Sequence, residues 1–258
     1  MGEAILREDD GHIATLSINR PEKRNALNPD ALFSIGEIVS NLKKDSNIRV
    51  IVIRGAGEKI FSSGADLSGG SGDMEKMIKG MEHCLDNLIS YPSPIIAMVS
   101  GPAIGMGLDI SVISDFRIVS ETARFGAPLV KLGRTYYYSA IHRLTSLVGL
   151  AAAKELLLTG RLIDAKRALE IGLVNNVVPS DELINTTYAL ARELAEESAP
   201  LAVRTTKLTI HKVLEYRGIN PEIEVELQAL VDKVNQSEDA VEGVKAMLEK
   251  RKPKFTGK

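Results

Sequence analysis

Cysteine is nearly absent from this 258-residue chain: Cys84 stands alone, which excludes an intrachain disulfide and favours a reducing compartment. Long apolar runs are missing as well. No stretch approaches the roughly eighteen apolar residues of a membrane-spanning helix, and Met1–Asp10 has neither the basic start nor the apolar run of a signal peptide, so a cytoplasmic protein is expected. Neither sign of charge dominates. The net charge is −2 and no basic block with interleaved aromatics occurs, which argues against a nucleic-acid partner. The four histidines, His12, His83, His142 and His211, are scattered without metal-ligand spacing, so no metal is expected. No sequence repeat stands out.

What the chain does have is apolar patterning. At 44% hydrophobic residues it can bury a large core as one domain, or as one domain with a small helical extension. Ile13–Ile18 reads as a strand after an Asp10-Gly11 turn. Asn28-Pro29-Asp30 supplies a helix cap, a first-turn proline and a first-turn acid, and the helix after it places Leu32, Ile35, Val39 and Leu42 on one face. Val50–Ile53 is β-branched throughout, as suits a strand buried on both faces. A helix over Met74–Ile89 returns the chain to a strand at Ile95–Val99, a β-α-β order that calls for right-handed crossovers. Beyond Ala140 helical spacing dominates, over Ala151–Leu158, Asp164–Ile171, Ser180–Glu197 and Ala202–Tyr216, with a β-like Leu173–Val178 between them. Ser68-Gly69-Gly70-Ser71-Gly72 reads either as a flap over a ligand or as a surface linker.

Two stretches carry the chemistry: Phe61-Ser62-Ser63-Gly64-Ala65-Asp66-Leu67 and Gly101-Pro102-Ala103-Ile104-Gly105-Met106-Gly107-Leu108-Asp109. Each follows a β-like run, holds small residues that let backbone approach a ligand, and leads towards a helical segment. Two such loops converging on one carbonyl oxygen make an oxyanion hole, where losing a single donor costs roughly 3–4 kcal/mol of transition-state stabilisation.

The pair, taken with Asn19-Arg20-Pro21, Arg24-Asn25-Ala26-Leu27, Arg124-Phe125-Gly126, Leu158-Thr159-Gly160, Ala168–Val174 and Glu249–Phe255, resembles the crotonase superfamily, the enoyl-CoA hydratase/isomerase family. The resemblance implies an α/β fold, a crotonase (ClpP-like) spiral of β-β-α turns over 1–195, with a helical region at 196–258 that builds a homotrimer or homohexamer. It implies an acyl-CoA substrate and no separate cofactor, coenzyme A being part of the substrate. By motif, the N–H groups of Ala65 and Met106 hold the thioester oxygen, with Met106 where the family more often has glycine. Arg24 and Ala26 line the nucleotide and pantetheine path, with Ala65, Asp66 and Leu67 along the adenine side, and Ser63, Gly105 and Leu129 are further substrate-binding positions. Phe255 and Lys258 come from a neighbouring subunit. Arg24 has the planar fork for a phosphate, or is an exposed loop arginine; Lys250-Arg251-Lys252 is a solvated helix end or lies near the anion.

Asp109 stands where hydratases carry their first catalytic glutamate, as an acid/base or simply a helix-capping aspartate. The second glutamate position is Leu129. Hydration by two carboxylates needs one group to activate water and another to deliver a proton, so single-acid isomerisation fits these residues better. Tyr136-Tyr137-Tyr138, half of the chain's six tyrosines, points into the pocket or packs in a core or trimer contact. With Ile141-His142 this stretch is similar to the methylmalonyl-CoA decarboxylases of the superfamily, in which a tyrosine at the position of Tyr136 lies near the substrate carboxylate. Leu129 suits that reaction. Asp109 does not unless it is protonated or turned away, and Ala65 stands where those decarboxylases have histidine. A CoA-binding protein with an idle site is the third reading.

Overall fold

The computed structural model describes residues 3–68, 74–215, 235–251 and 253, together with positions 225, 229 and 232. Its frame is a six-stranded sheet in the order β1-β2-β3-β4-β6-β9. The strands are β1 (Ile5–Asp10), β2 (Ile13–Ile18), β3 (Val50–Gly55), β4 (Ile95–Val99), β6 (Phe116–Ser120) and β9 (Asn176–Val178), all parallel except β1 against β2. Side chains alternate between two cores, as strand geometry requires. Ala14, Leu16, Ile51, Ile53, Ile95, Ala97 and Val119 face inward to the main cluster. Ile13, Val50, Val52, Ile96, Met98 and Ile118 face outward, under α6 (Leu183–Arg192), where Thr15 Oγ1 and Tyr188 Oη meet at 2.7 Å.

A second, smaller layer crosses the ends of these strands. It holds β5 (Ala103–Ile104), β7 (Arg124–Gly126) and β8 (Leu162–Asp164), and parallel bridges between Ser62 and Ala103 and between Leu27 and Ala65 extend it. Successive turns therefore repeat one plan: a long strand, a short segment in the second layer, then a helix. The first three helices are α1 (Pro29–Leu42), α2 (Met74–Ile89) and α3 (Met106–Ile113); the fourth turn closes with a 3-10 helix, Pro128–Leu132, and α4 (Tyr138–Thr159). This is the β-β-α spiral that the resemblance implies. Each short segment feeds its helix from the same edge, which brings the two donor loops side by side.

The predicted α1, α2, β2 and β4 are observed, with Asn28 Oδ1 accepting from Ala31 N at 3.0 Å at the start of α1. Three elements differ from expectation. The segment before the Asp10-Gly11 turn is itself a strand, β1, paired along its length with β2. The helix expected over Ala151–Leu158 is observed, and a further helical stretch from Tyr138 runs into it at Gly149, whose φ 75°, ψ 166° is not helical. The β-like Leu173–Val178 pairs only over Asn176–Val178. Downstream, α5 (Ala165–Glu170), α6 with a π turn to Glu197, and α7 (Pro200–Glu215) follow the helical expectations, and Tyr216 lies outside the described residues. The final helix, α8 (Glu238–Leu248), folds back on the Pro128–Leu132 segment through buried Ala240, Gly243 and Ala246. Among the described residues no helix is long and apolar enough to cross a membrane.

Candidate active site

The Leu27–Ala65 bridge fixes the first donor. Leu27 N donates to Gly64 O at 2.8 Å and Asp66 N to Leu27 O at 2.9 Å, so the flanking peptides are used and the Ala65 N–H points to the opposite side. The second donor follows from helix geometry. Met106 is the first residue of α3, Gly105 is its N-cap, and the first intrahelical bond is Asp109 N to Gly105 O at 3.0 Å, which leaves the Met106 N–H without a helical acceptor. The two loops touch: a Cβ built on Gly64 would stand 2.8 Å from Ile104 O and 3.5 Å from Met106 N. Gly64 at φ 98° and Gly105 at φ 57° adopt conformations that L side chains rarely take, and those conformations turn the two loops together.

A buried network sets the first loop. Asn25, 1% exposed and at φ 53°, accepts from Arg20 N and donates to Ala56 O and Ile60 O at 3.0 and 2.8 Å. Its own carbonyl accepts from Ser62 Oγ, which in turn accepts from Gly64 N. Replacing Asn25 by alanine strands these groups in the interior, and a loss of about 2–3 kcal/mol is expected, read as a lower urea midpoint at unchanged slope. Arg20 ties the outer wall, donating to Ala26 O at 2.6 Å and pairing with Asp66 at 3.0 Å. Burial disfavours the charged Asp66, but hydrogen bonds from Ser68 and Arg20 prevail and hold its carboxyl below the usual range. Ala26 and Asp66 are thus tied together through Arg20, with Leu67 half-buried after Asp66; Arg24 is exposed, its carbonyl accepting from Ser63 N at 3.1 Å.

A small cavity lies between α3 and α4. Leu108, Val112, Ala140, Leu144 and Leu157 line this cavity of about 10 Å³ with Asp109 and Tyr136, close to the lower limit for one water. Tyr136 Oη is sealed from solvent and has no hydrogen-bond partner among the described residues. It stands 3.8 Å from where a Gly105 Cβ would lie, beside the residue that precedes Met106. Burial, and after it the charge of Asp109, pushes the phenol up, so it stays a neutral donor.

Asp109 is 7% exposed and is not a lone carboxylate. Arg143 Nη2 donates to both of its oxygens at 2.9 Å, and Nε to Oδ1 at 3.3 Å. Burial raises the Asp109 carboxyl above its ordinary value, with Arg143 opposing that shift. The sequence reading missed Arg143: nothing local marks it, because its partner sits 34 positions away on another helix. Leu129 is half-buried in the Pro128–Leu132 turn, which follows Gly126, whose carbonyl accepts from Gly105 N at 3.0 Å. His142 stacks on Tyr138, ring centres 5.9 Å apart. Phe255, Lys258 and the glycine-rich 69–72 lie outside the described residues.

A wider groove of about 400 Å³ runs between Ile89–Pro92 and α7, but no donor-loop residue lines it. Its Lys207 is paired with Asp115 at 2.7 Å and Arg204 donates to Ser93 at 2.8 Å. The donor loops with a buried phenol and carboxylate, rather than size, mark the candidate site.

Comparison with known proteins bears on the family and the fold. A sequence model of the enoyl-CoA hydratase/isomerase family matches residues 8–258. A short-chain-enoyl-CoA hydratase of Clostridium acetobutylicum is 37% identical over 256 residues, covering 96% of this chain and 95% of the relative. A crotonyl-CoA hydratase of Syntrophomonas wolfei is 34% identical over 273 residues, 99% of each chain. Among solved structures, a methylmalonyl-CoA decarboxylase in complex with 2-nitronate-propionyl-CoA has a TM-score of 0.89 at 32% identity, over 99% of both chains.

Proposed function

This chain belongs to the enoyl-CoA hydratase/isomerase family, and we propose that it decarboxylates a malonyl-type CoA thioester, holding the thioester oxygen on the N–H groups of Ala65 and Met106. The observation that carries this reading is Tyr136 Oη, a buried hydroxyl without a partner among the described residues, close to Gly105 in the second donor loop. Such a group costs stability in the free protein and is repaid when a ligand acceptor arrives. A carboxylate on the acyl α-carbon is that acceptor.

In this reaction the bond between the α-carbon and the carboxylate breaks and its electron pair moves to the thioester oxygen, where the backbone donors stabilise the enolate. Carbon dioxide leaves and a proton from water completes the product. Tyr136 orients the departing carboxylate. No strong base is needed, which agrees with Leu129 at the second glutamate position and with both Asp109 oxygens already accepting from Arg143. Arg24, Ala26, Asp66 and Leu67 would receive the rest of the coenzyme A, so no resident cofactor is called for.

A second reading, proton transfer by Asp109 in hydration or isomerisation, draws support from the hydratase relatives. Mass-resolved turnover of the purified protein with methylmalonyl-CoA, crotonyl-CoA and a 3-enoyl-CoA separates the two. Loss of carbon dioxide from the first is expected. Water added to crotonyl-CoA, or a new conjugated double bond in the 3-enoyl substrate, with methylmalonyl-CoA untouched, overturns decarboxylation in favour of Asp109.

A further inference from the structure

Arg143 and Asp109 form a bidentate pair between two helices, with apolar Leu108, Ala140 and Leu144 around the cavity that Asp109 lines. Pairs of this kind are weak evidence for stability, because removing two charges from water offsets most of their attraction, and well-packed apolar residues in their place are often neutral or better. The pair therefore asks for a functional reason. Arg143 does not line the cavity; among the described residues it is tied to the cavity through Asp109.

We propose that Arg143 is a positioning residue that selects the reaction. Holding both oxygens of Asp109, it withholds that carboxylate from proton transfer at the acyl α-carbon and cancels its charge beside an anionic acyl group. The inference rests on the acyl-thioester site described above but not on which substrate is decarboxylated. Around Asp109 the other titratable groups are Tyr136, from the segment before α4, and Cys84 on α2; burial, then the charge of Asp109, pushes both up, so they stay neutral. Arg143 is thus the partner that governs the carboxylate. Without it Asp109 keeps its burial and loses its cation, and its carboxyl moves further up, towards the range of a working acid/base.

The test reads proton transfer without any decarboxylation. Deuterium uptake at the α-carbon of butyryl-CoA in D2O is followed by mass spectrometry for the wild type, Arg143→Gln, Arg143→Lys, and Arg143→Gln combined with Asp109→Asn. Exchange in Arg143→Gln is expected to rise on the order of 10–100-fold over the wild type, in line with general acid–base contributions, and to vanish in the double variant. Arg143→Lys, which restores a cation, should return exchange towards the wild-type rate. With methylmalonyl-CoA, Arg143→Gln should show a limb absent from the wild type: turnover falls as pH rises through the raised Asp109 pKa and unpaired charge develops, and the double variant should lose that limb. Exchange in Arg143→Gln no faster than in the wild type, with butyryl-CoA still bound, overturns the proposal. So does exchange that persists in the double variant. Wild-type inactivity towards methylmalonyl-CoA would sink only the decarboxylase reading, because the exchange result stands apart from it.

Discussion

Met106→Pro should lower kcat by about 10²–10³-fold, the loss expected when one oxyanion donor of roughly 3–4 kcal/mol is removed. Backbone donors are normally beyond the reach of mutagenesis, but this one is not. Met106 is the first residue of α3, the helical position at which proline is best tolerated because its missing N–H has no intrahelical partner. The residue before a proline is pushed towards extended conformations, and Gly105 at φ 57°, ψ −119° already holds the mirror image of one, open to glycine alone. Helix α3 should therefore survive while its free N–H is lost. Met106→Ala removes the same buried side chain and keeps the donor. A large gap in kcat between the two variants, at similar thermal stability, assigns the effect to the N–H; equal activities would show that the Met106 N–H is not an oxyanion donor.

The second large effect is expected at Tyr136, where activity and stability should move in opposite directions. Tyr136→Phe deletes a hydroxyl that has no partner among the described residues. The folded protein should gain about 1 kcal/mol by losing a buried unsatisfied group, seen as a rise of a few degrees in Tm. Turnover of methylmalonyl-CoA should fall about 100-fold, since the group that orients the departing carboxylate is gone. A variant that is both more stable and far slower is hard to explain by damage to the fold. Unchanged turnover would remove Tyr136 from the mechanism and return attention to Asp109.

Much of the frame was legible because a core strand or helix advertises itself by period. The β-branched Val50–Ile53, the apolar Ile95–Val99 and the spacing over Met74–Ile89 each required one kind of element. β1 was missed because Arg7–Asp10 is charged, exposed and lacks a buried face to give it a pattern. β6 hides a buried arginine, Arg117, whose guanidinium serves the carbonyls of Ser111 and Ser114 at the end of α3; a charge in the core masks a strand from any reading by polarity. β5, β7 and β8 run two or three residues each and exist only by pairing across turns of the spiral. At the candidate site the loops could be read locally, because small residues beside a strand and a helix start are a local arrangement. The Asp109–Arg143 pair could not. Sequence names the carboxylate, and only the packing of α3 against α4 tells which cation faces it.

The return of α8 onto the Pro128–Leu132 segment has a bearing on the order in which the molecule assembles. The spiral grows from neighbours: each long strand pairs with one laid down shortly before it, so successive turns can form as the chain lengthens. The contact between Glu238–Leu248 and 128–132 belongs to another class, closing a loop of about a hundred residues whose entropy is spent before any contact rewards it. That strut backs the turn leading into Tyr136, and its docking is expected to be the late event of folding. A nascent chain would form its Gly64 and Gly105 loops early and steady the segment leading to Tyr136 only once Glu238–Leu248 has left the ribosome.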